Sequence, residues 1–247
     1  MEPNRASSAG MQIPARRSGS WIRGGLFSLA AIAAVSIFVS QGAGRLAAAE
    51  PPALDASPFT IEWTFGAIVG EGEDRKYETI DERATLSSGT PVRMKLRLDK
   101  KAHVYVVYRD AKGSVNLLFP RTEDEINVVG DLPKHYWILS EGVKLDNTVG
   151  EERVYLVASK TPLESLARLA RESFKNSADD LAASGWSRRL LKEVAVLKKD
   201  RMGLSKATSR PTSIGGTLKG PDAKAEPVGV EITAKGFLYK KYTIDHR

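Results

Sequence analysis

The 247-residue sequence contains no cysteine. This absence excludes disulfide bonds, thiolate-ligated zinc sites, a cysteine nucleophile and a lipid-modified amino-terminal cysteine. It leaves the cellular compartment open, because exported proteins also occur without cysteine. Aromatic residues make up only 7% of the chain, whereas its hydrophobic content of 42% and charged content of 27% are ordinary for a globular protein.

Sequence motifs for catalysis and ligand binding are also missing. The three histidines, His103, His135 and His246, include no pair at the spacing that places two metal ligands on one helix face. There is no G-x-S-x-G nucleophile elbow and no phosphate-binding glycine loop. The acidic group Glu123–Glu125 with Asp131 lacks the alternating spacing of a calcium loop. We therefore expect no catalytic residue, no metal site and no cofactor.

The first 49 residues have the three-part layout of a secretory signal. Basic residues, including Arg16, Arg17 and Arg23, precede the uncharged run Leu26–Val39, and small residues follow at Ala47–Ala49. We expect cleavage after Ala49 and export to the periplasm or cell envelope. The apolar run is shorter than the ~20 residues that cross a bilayer as a helix.

Two alternatives remain open for this leader. Residues 22–39 form an uncleaved membrane anchor if the leader is retained, and only then do we expect the protein to be held in the membrane. The pair Arg16-Arg17 allows twin-arginine export instead of the general secretory route.

The charge of the chain is unevenly distributed. Of the formal net charge of +7, residues 1–49 carry five arginines and one glutamate, or +4, which leaves +3 for residues 50–247. The basic balance therefore belongs mainly to the leader, and the case for a nucleic-acid partner weakens. Within the remainder, residues 160–206 hold eleven basic and six acidic residues, a net charge of +5.

Alternation of apolar and polar residues identifies the strands. Phe59–Phe65 and Val92–Leu98 both alternate with a period of two, which predicts one buried and one water-facing side for each strand. In the second of these strands, Leu96 is expected to face the core and Lys95 to face water.

Residues 91–120 are predicted to form a three-stranded antiparallel meander. The middle strand is rich in β-branched and aromatic residues. Asp110–Gly113, which precedes the third strand Val115–Phe119, has the residues of a type I turn. Five or six such strands, each bounded by turn residues, predict an antiparallel β-sandwich-like domain over residues 59–160.

A change of period marks the helical region. Thr161–Glu164 has the sequence pattern of a capping box with proline at the first helical position and predicts the start of a helix, and a second helix is predicted over Trp186–Lys199. The predicted fold is mainly β with α. Its segments are a signal peptide (1–49), a linker (50–58), the sandwich-like domain (59–160), a two-helix annex (161–202), a flexible loop (203–226) and a C-terminal β-hairpin (227–247).

One part of the chain resembles a known family. The stretch SGTPVRMKLRLDKKAHVYVVYRDAKGSVNLLFP, followed later by RVYLVASKTPL, is similar to the bacterial domain of unknown function 4384 over about residues 89–163. The resemblance implies an exported or envelope-associated domain. The family has no established catalytic residues, so no site residue follows from it.

The sequence thus favours a non-catalytic binding or interaction module of the periplasm or cell envelope. We expect its partner to be an envelope protein or an anionic envelope component rather than nucleic acid, and its oligomeric state stays open. The alternatives are an envelope hydrolase with a site assembled from scattered residues and a membrane-tethered accessory subunit. The candidate partner-binding residues lie in the second helix: Arg188, Arg189, Lys192, Lys198 and Lys199.

Overall fold

The computed structural model describes residues 55–70, 76–127, 132–139, 143–201, 207–213 and 228–247. The predicted signal peptide, most of the linker and Asp131 lie outside the described residues. Among the described residues, no helix is both long and apolar enough to cross a bilayer.

The described residues form eleven strands and four helices. The strands are β1 (Pro58–Val69), β2 (Lys76–Thr79), β3 (Arg83–Leu86), β4 (Val92–Leu98), β5 (His103–Arg109), β6 (Val115–Phe119), β7 (Lys134–Leu139), β8 (Gly150–Ser159), β9 (Thr208–Ser213), β10 (Val228–Lys235) and β11 (Phe237–His246). The helices are α1 (Glu123–Asn127), α2 (Glu164–Lys175), α3 (Ala178–Ala183) and α4 (Trp186–Arg201).

Two sheets pack face to face. The first sheet has the order β7-β4-β1-β10-β9, with β2 also paired to β1, and the second sheet has the order β3-β11-β8-β5-β6. All pairings are antiparallel except that of β3 with β11. The predicted β-sandwich-like fold, mainly β with α, is therefore confirmed.

The inward-facing residues of β1 form the centre of the sandwich core. Phe59, Ile61, Trp63 and Phe65 are all buried, as the alternation predicts. The predicted water-facing side of β1 is wrong, because Glu62 and Thr64 are buried as well. Trp63 and Phe65 reach across to Tyr242 of the second sheet, with ring centroids 6.1 and 5.4 Å apart. Aromatic contacts of this kind contribute to the packing of the two sheets.

The helices cover the outer face of the second sheet. Val104 and Val106 of β5 point into the sandwich core, whereas Tyr105 and Val107 point into a second apolar cluster with α2 and α4. This explains why residues 104–108 of β5 are all β-branched or aromatic, because a strand buried on both faces has no water-facing side.

The predicted meander is only partly correct. β5 and β6 pair as expected around the Asp110–Gly113 turn, but β4 belongs to the first sheet and does not pair with β5. Residues 99–102 carry the chain from one sheet to the other. Local pattern identifies strands but not the sheet that each one joins.

The predicted C-terminal hairpin is wrong for a similar reason. β10 pairs with β1 and β9, while β11 pairs with β8 and β3, so the two strands lie in opposite sheets. The chain crosses between them at Gly236, whose φ is +66°. A side chain there would also come within 2.9 Å of the Asp55 carbonyl oxygen, so glycine suits both the backbone and the space.

Two further segments differ from expectation, and a third, to which no element was assigned, forms a helix. Thr208–Ser213, predicted as part of a flexible loop, is the edge strand β9, whose polar composition hides its pairing with β10. The predicted two-helix annex contains a third helix, α3, which begins with a capping box between Ser177 and Asp180. The acidic segment after β6 is the short helix α1.

The water-facing side predicted for β4 is also wrong. Arg93 and Lys95 are only 5% and 6% exposed, and Lys95 lies in register between Thr64 of β1 and Trp137 of β7. The Lys95 ammonium lies 5.2 Å from the centroid of the Trp137 ring. Burial lowers the pKa of Lys95, and the neighbouring Glu62 carboxylate partly opposes that effect.

This revised position of Lys95 gives a stability test. We expect Lys95→Asp to lower the free energy of unfolding by about 1–3 kcal/mol, because it places a second carboxylate beside the buried Glu62. Leu96→Asp should lower the free energy of unfolding by more than Lys95→Asp does, since Leu96 is fully buried. Lys101 is exposed and lies three residues after β4. Lys101→Asp should therefore change the free energy of unfolding by no more than about 0.5 kcal/mol. Urea denaturation of the three variants measures these differences, and equal midpoints for the Lys95 and Lys101 variants would contradict the buried position.

Candidate functional site

One side of α4 packs against the protein, and the opposite side faces outward. The buried residues of α4 are Trp186, Leu190, Val194 and Leu197. The Trp186 indole N–H donates a hydrogen bond of 2.9 Å to the Leu169 carbonyl and so fixes α4 against α2. The apolar stripe therefore determines which residues of α4 point away from the sheet.

Three of the five predicted partner-binding residues lie in one row along that outward side. Arg188, Lys192 and Lys199 are exposed. At about 100° per residue, they lie within roughly 40° of one another around the helix and opposite the buried side. Val196, which is 40% exposed, lies at the margin of the same surface. We call Arg188, Lys192 and Lys199 the basic stripe.

The other two predicted residues make contacts within the protein. The Arg189 guanidinium donates two hydrogen bonds to the Glu172 carboxylate of α2, one of them 3.0 Å long. The Lys198 ammonium lies 5.3 Å from the centroid of the Tyr239 ring. Both side chains are exposed, but their head groups already have partners. The five residues therefore divide into an outward stripe of three and a pair that attaches α4 to its neighbours.

A separate polar cluster, which the sequence analysis missed, closes one end of the sandwich. His246 is 3% exposed and Glu152 is 2% exposed. The His246 Nδ1 atom lies 2.9 Å from Glu152 Oε1, and Nε2 lies 3.0 Å from Ser88 Oγ. The Tyr108 hydroxyl donates a 2.8 Å hydrogen bond to Glu152 Oε2. Together with Asp146 these residues are the His246 cluster.

The pairing of the second sheet assembles this cluster. Glu152 continues the inward-facing positions of β8, two residues before Val154, and His246 continues those of β11, two residues after Ile244. β3 runs parallel to β11, and beyond it the Ser88 amide donates to the Arg247 carbonyl at 3.0 Å. The sequence did carry a signal for these positions. Continuing the period-two alternation of β8 and β11 by two residues would have predicted that Glu152 and His246 face inward.

Asp146 comes from the loop before β8. Its Oδ1 atom accepts a 2.7 Å hydrogen bond from the Thr148 amide, and the Thr148 hydroxyl donates to Oδ2 at 3.2 Å. Asp146, Glu152 and His246 offer one ligand atom each, and those atoms all lie within 4.8 Å of one another. Among the described residues, this is the one group of three such side chains close enough to share a metal ion.

The series of hydroxyl, imidazole and carboxylate resembles the relay of a serine hydrolase, but the surrounding backbone does not. Acyl transfer needs N–H donors that are free to bind the developing oxyanion. The amides of Ser88, Gly89 and Thr90 instead donate to backbone carbonyls at 3.0, 2.9 and 3.1 Å. The turn that carries Ser88 therefore offers none of its own amides to an oxyanion.

The remaining candidate residues from the sequence lie outside the His246 cluster. His103 Nδ1 lies 3.1 Å from the Ile126 carbonyl oxygen. His135 is exposed on β7, and its pKa is lowered by partial burial and by the nearby charges of Lys95 and Arg97. The acidic residues before Asp131 form ion pairs. Glu123 pairs with Arg171 at 2.7 Å, and Glu125 pairs with Arg121 at 2.8 Å.

An open groove of about 670 Å³ lies between the β6 edge of the second sheet and the helices. Its lining includes Ser114, Asn116, Arg121 and Asp179. Asp179 is the one carboxylate among its described lining residues, and none of them is a histidine. The groove therefore lacks the paired acid and base that a hydrolytic site of the predicted kind requires.

Comparison with known protein families confirms the resemblance seen in the sequence. Residues 85–162 match the family described as a domain of unknown function (DUF4384). The match covers about a third of the chain; it includes Ser88, Asp146 and Glu152 but not α4 or His246. No curated protein and no solved structure matches the chain.

Two buried tyrosines test the hydrogen bonding of the His246 cluster. Tyr108→Phe should lower the free energy of unfolding by about 1–3 kcal/mol, because it leaves buried Glu152 Oε2 without its donor. Tyr105 is a matched control on the same strand: it is 1% exposed, and its buried hydroxyl has no hydrogen-bond partner among the described residues. Tyr105→Phe should therefore be neutral or stabilising. Urea denaturation measures both, and a larger loss for Tyr105→Phe would contradict the assigned bonding.

Proposed function

We propose that this protein is an exported, non-catalytic binding module that attaches to anionic phospholipid surfaces of the cell envelope through the basic stripe of α4. The observation that carries the proposal is the position of Arg188, Lys192 and Lys199. They lie on the side of α4 opposite its buried residues. The leader pattern of residues 1–49 supports export.

The shape of this surface favours a membrane over a chain-like ligand. The stripe runs along the convex outer side of a helix, from Arg188 to Lys199, a length of roughly 16 Å at 1.5 Å per residue. A helix that lies parallel to a bilayer can contact the lipid surface along its whole length. An extended glycan or peptide is instead usually held in a groove. Val196 adds an exposed apolar side chain that can enter the interfacial region.

The expected affinity is modest. Each lysine or arginine near an anionic bilayer contributes about 1 kcal/mol, so three contribute roughly 3 kcal/mol, which corresponds to about a hundredfold enrichment. Such attraction acts over a screening length of ~8 Å at physiological salt. Attachment should therefore be reversible and sensitive to salt.

Nucleic acid fits this surface less well. Proteins that bind single strands interleave aromatic side chains with basic residues so that the bases can stack. The outward side of α4 has arginine, lysine, alanine and valine but no aromatic residue. Trp137, the exposed large aromatic among the described residues, lies on β7.

Co-sedimentation with lipid vesicles tests the proposal. The wild-type protein should bind vesicles that contain phosphatidylglycerol and should not bind pure phosphatidylcholine, and binding should fall steeply as salt rises. The variant Arg188→Glu/Lys192→Glu/Lys199→Glu should lose most of this binding. Arg189 and Lys198 are left unchanged, because reversing them would break contacts with Glu172 and Tyr239.

A matched variant separates the stripe from net charge. Lys100→Glu/Lys101→Glu/Lys112→Glu changes the net charge by the same amount at exposed positions outside α4. It should keep at least half of the wild-type binding. Equal loss in both variants would assign the effect to net charge, and absence of wild-type binding at low salt would refute the proposal.

The export part of the proposal has its own test. Cleavage after Ala49 gives a mature chain that begins at Glu50. Intact-mass measurement of the protein purified from cells should show that product in the soluble exported fraction. A full-length product in the membrane fraction would instead support the retained anchor at residues 22–39.

A further inference from the structure

We propose that Asp146, Glu152 and His246 form a binding site for one divalent transition-metal ion, with Zn²⁺ as the representative ion. Their ligand atoms lie within 4.8 Å of one another, and Glu152 and His246 are almost completely buried. The site is at the end of the sandwich and involves no residue of α4, so it goes beyond the proposed lipid attachment and stands independently of it.

The ligand set selects the class of ion. One imidazole nitrogen and two carboxylate oxygens suit Zn²⁺, Fe²⁺ or Mn²⁺, whereas Ca²⁺ and Mg²⁺ prefer sets made of oxygen alone. Three protein ligands would leave further coordination positions for water. Asp146 is partly exposed and gives the ion a route from solvent, while Glu152 and His246 hold the inner side.

Each of the three ligands is oriented by an outer partner. With its proton on Nε2, His246 donates to Ser88 Oγ at 3.0 Å and directs the free lone pair of Nδ1 toward Glu152. The Tyr108 hydroxyl holds Glu152 Oε2 at 2.8 Å, which leaves Oε1 for the ion. The Thr148 amide holds Asp146 Oδ1 at 2.7 Å. Outer hydrogen bonds of this kind fix ligand geometry in metal sites and tune ion affinity.

The charge of the cluster also favours a cation. Within the described part of the chain, neither Glu152 nor Asp146 forms an ion pair with a lysine or an arginine. A negative local field stabilises a dication and opposes an oxyanion. The same residues are therefore better suited to hold a metal than to catalyse acyl transfer.

A bound ion would join three parts of the chain. Asp146 lies in the loop before β8, Glu152 is on β8 and His246 is the last residue of β11. Binding to the folded state alone stabilises that state in proportion to the logarithm of ligand concentration. The site should accordingly raise the melting temperature when Zn²⁺ is added.

Isothermal titration with ZnCl₂ tests the site on the protein purified from cells and stripped of metal by a chelator. The wild type should bind one Zn²⁺ at the cluster. Asp146→Asn removes a charged ligand while its side-chain carbonyl can still accept from the Thr148 amide, so it should weaken binding at least tenfold. Asp110→Asn is the matched control, because Asp110 accepts a 2.7 Å bond from the Ser114 amide but lies outside the cluster. This control should bind as the wild type does.

A second variant distinguishes the cluster from the other histidines. His103→Gln/His135→Gln leaves His246 intact and should bind Zn²⁺ with wild-type stoichiometry and affinity. A melting-temperature increase should accompany Zn²⁺ addition in the wild type, in Asp110→Asn and in this double variant, but should be smaller in Asp146→Asn. The proposal is overturned if the wild type binds no Zn²⁺, if Asp146→Asn binds as tightly as Asp110→Asn, or if binding is lost with His103 and His135.

Discussion

The second sheet is buried on both faces, by the first sheet on one side and by the helices on the other, and this double burial governs how the other elements pack. Its central strands send alternate residues into the sandwich core and into the helix layer, as Val106 and Val107 do on β5. Without the helices, the outer cluster would be exposed to water at a cost of about 25 cal/mol for each Å² of apolar surface. The helices are therefore part of the domain's core and not an appendage to a complete sandwich.

The same packing decides where the charges of α4 lie. Because Trp186 and Leu190 are buried against the rest of the domain, the residues on the other side of the helix must point to solvent. Arg188, Lys192 and Lys199 occupy that side, while Arg189 at its border reaches back to Glu172. Burial of the apolar side of α4 thus fixes which side of the helix faces solvent. The basic character of that side comes from the residue types at its exposed positions.

At the end of the sandwich that holds the His246 cluster, the inward-facing residues are polar. On β8 and β11 the inward positions change from apolar residues to Glu152 and His246, and buried polar groups are costly unless they are hydrogen-bonded. Here each buried group has a partner supplied by another element, including Ser88 from the turn after β3 and Tyr108 from β5. This arrangement satisfies the polar atoms but concentrates carboxylates, which is the electrostatic basis of the proposed cation site.

Periodicity and local order within a few residues were enough to predict most of the central strands, the two main helices, the sandwich-like class and the family resemblance, but not the polar edge strand β9. The sequence also indicated which residues of α4 are basic. Long-range packing, in contrast, places β4 and β5 in different sheets, separates β10 from β11 and buries Lys95. It alone brought Ser88, Glu152 and His246 together. The physical reason is that local periodicity states which side of a strand is apolar, whereas strand order and register determine which distant side chains that side meets.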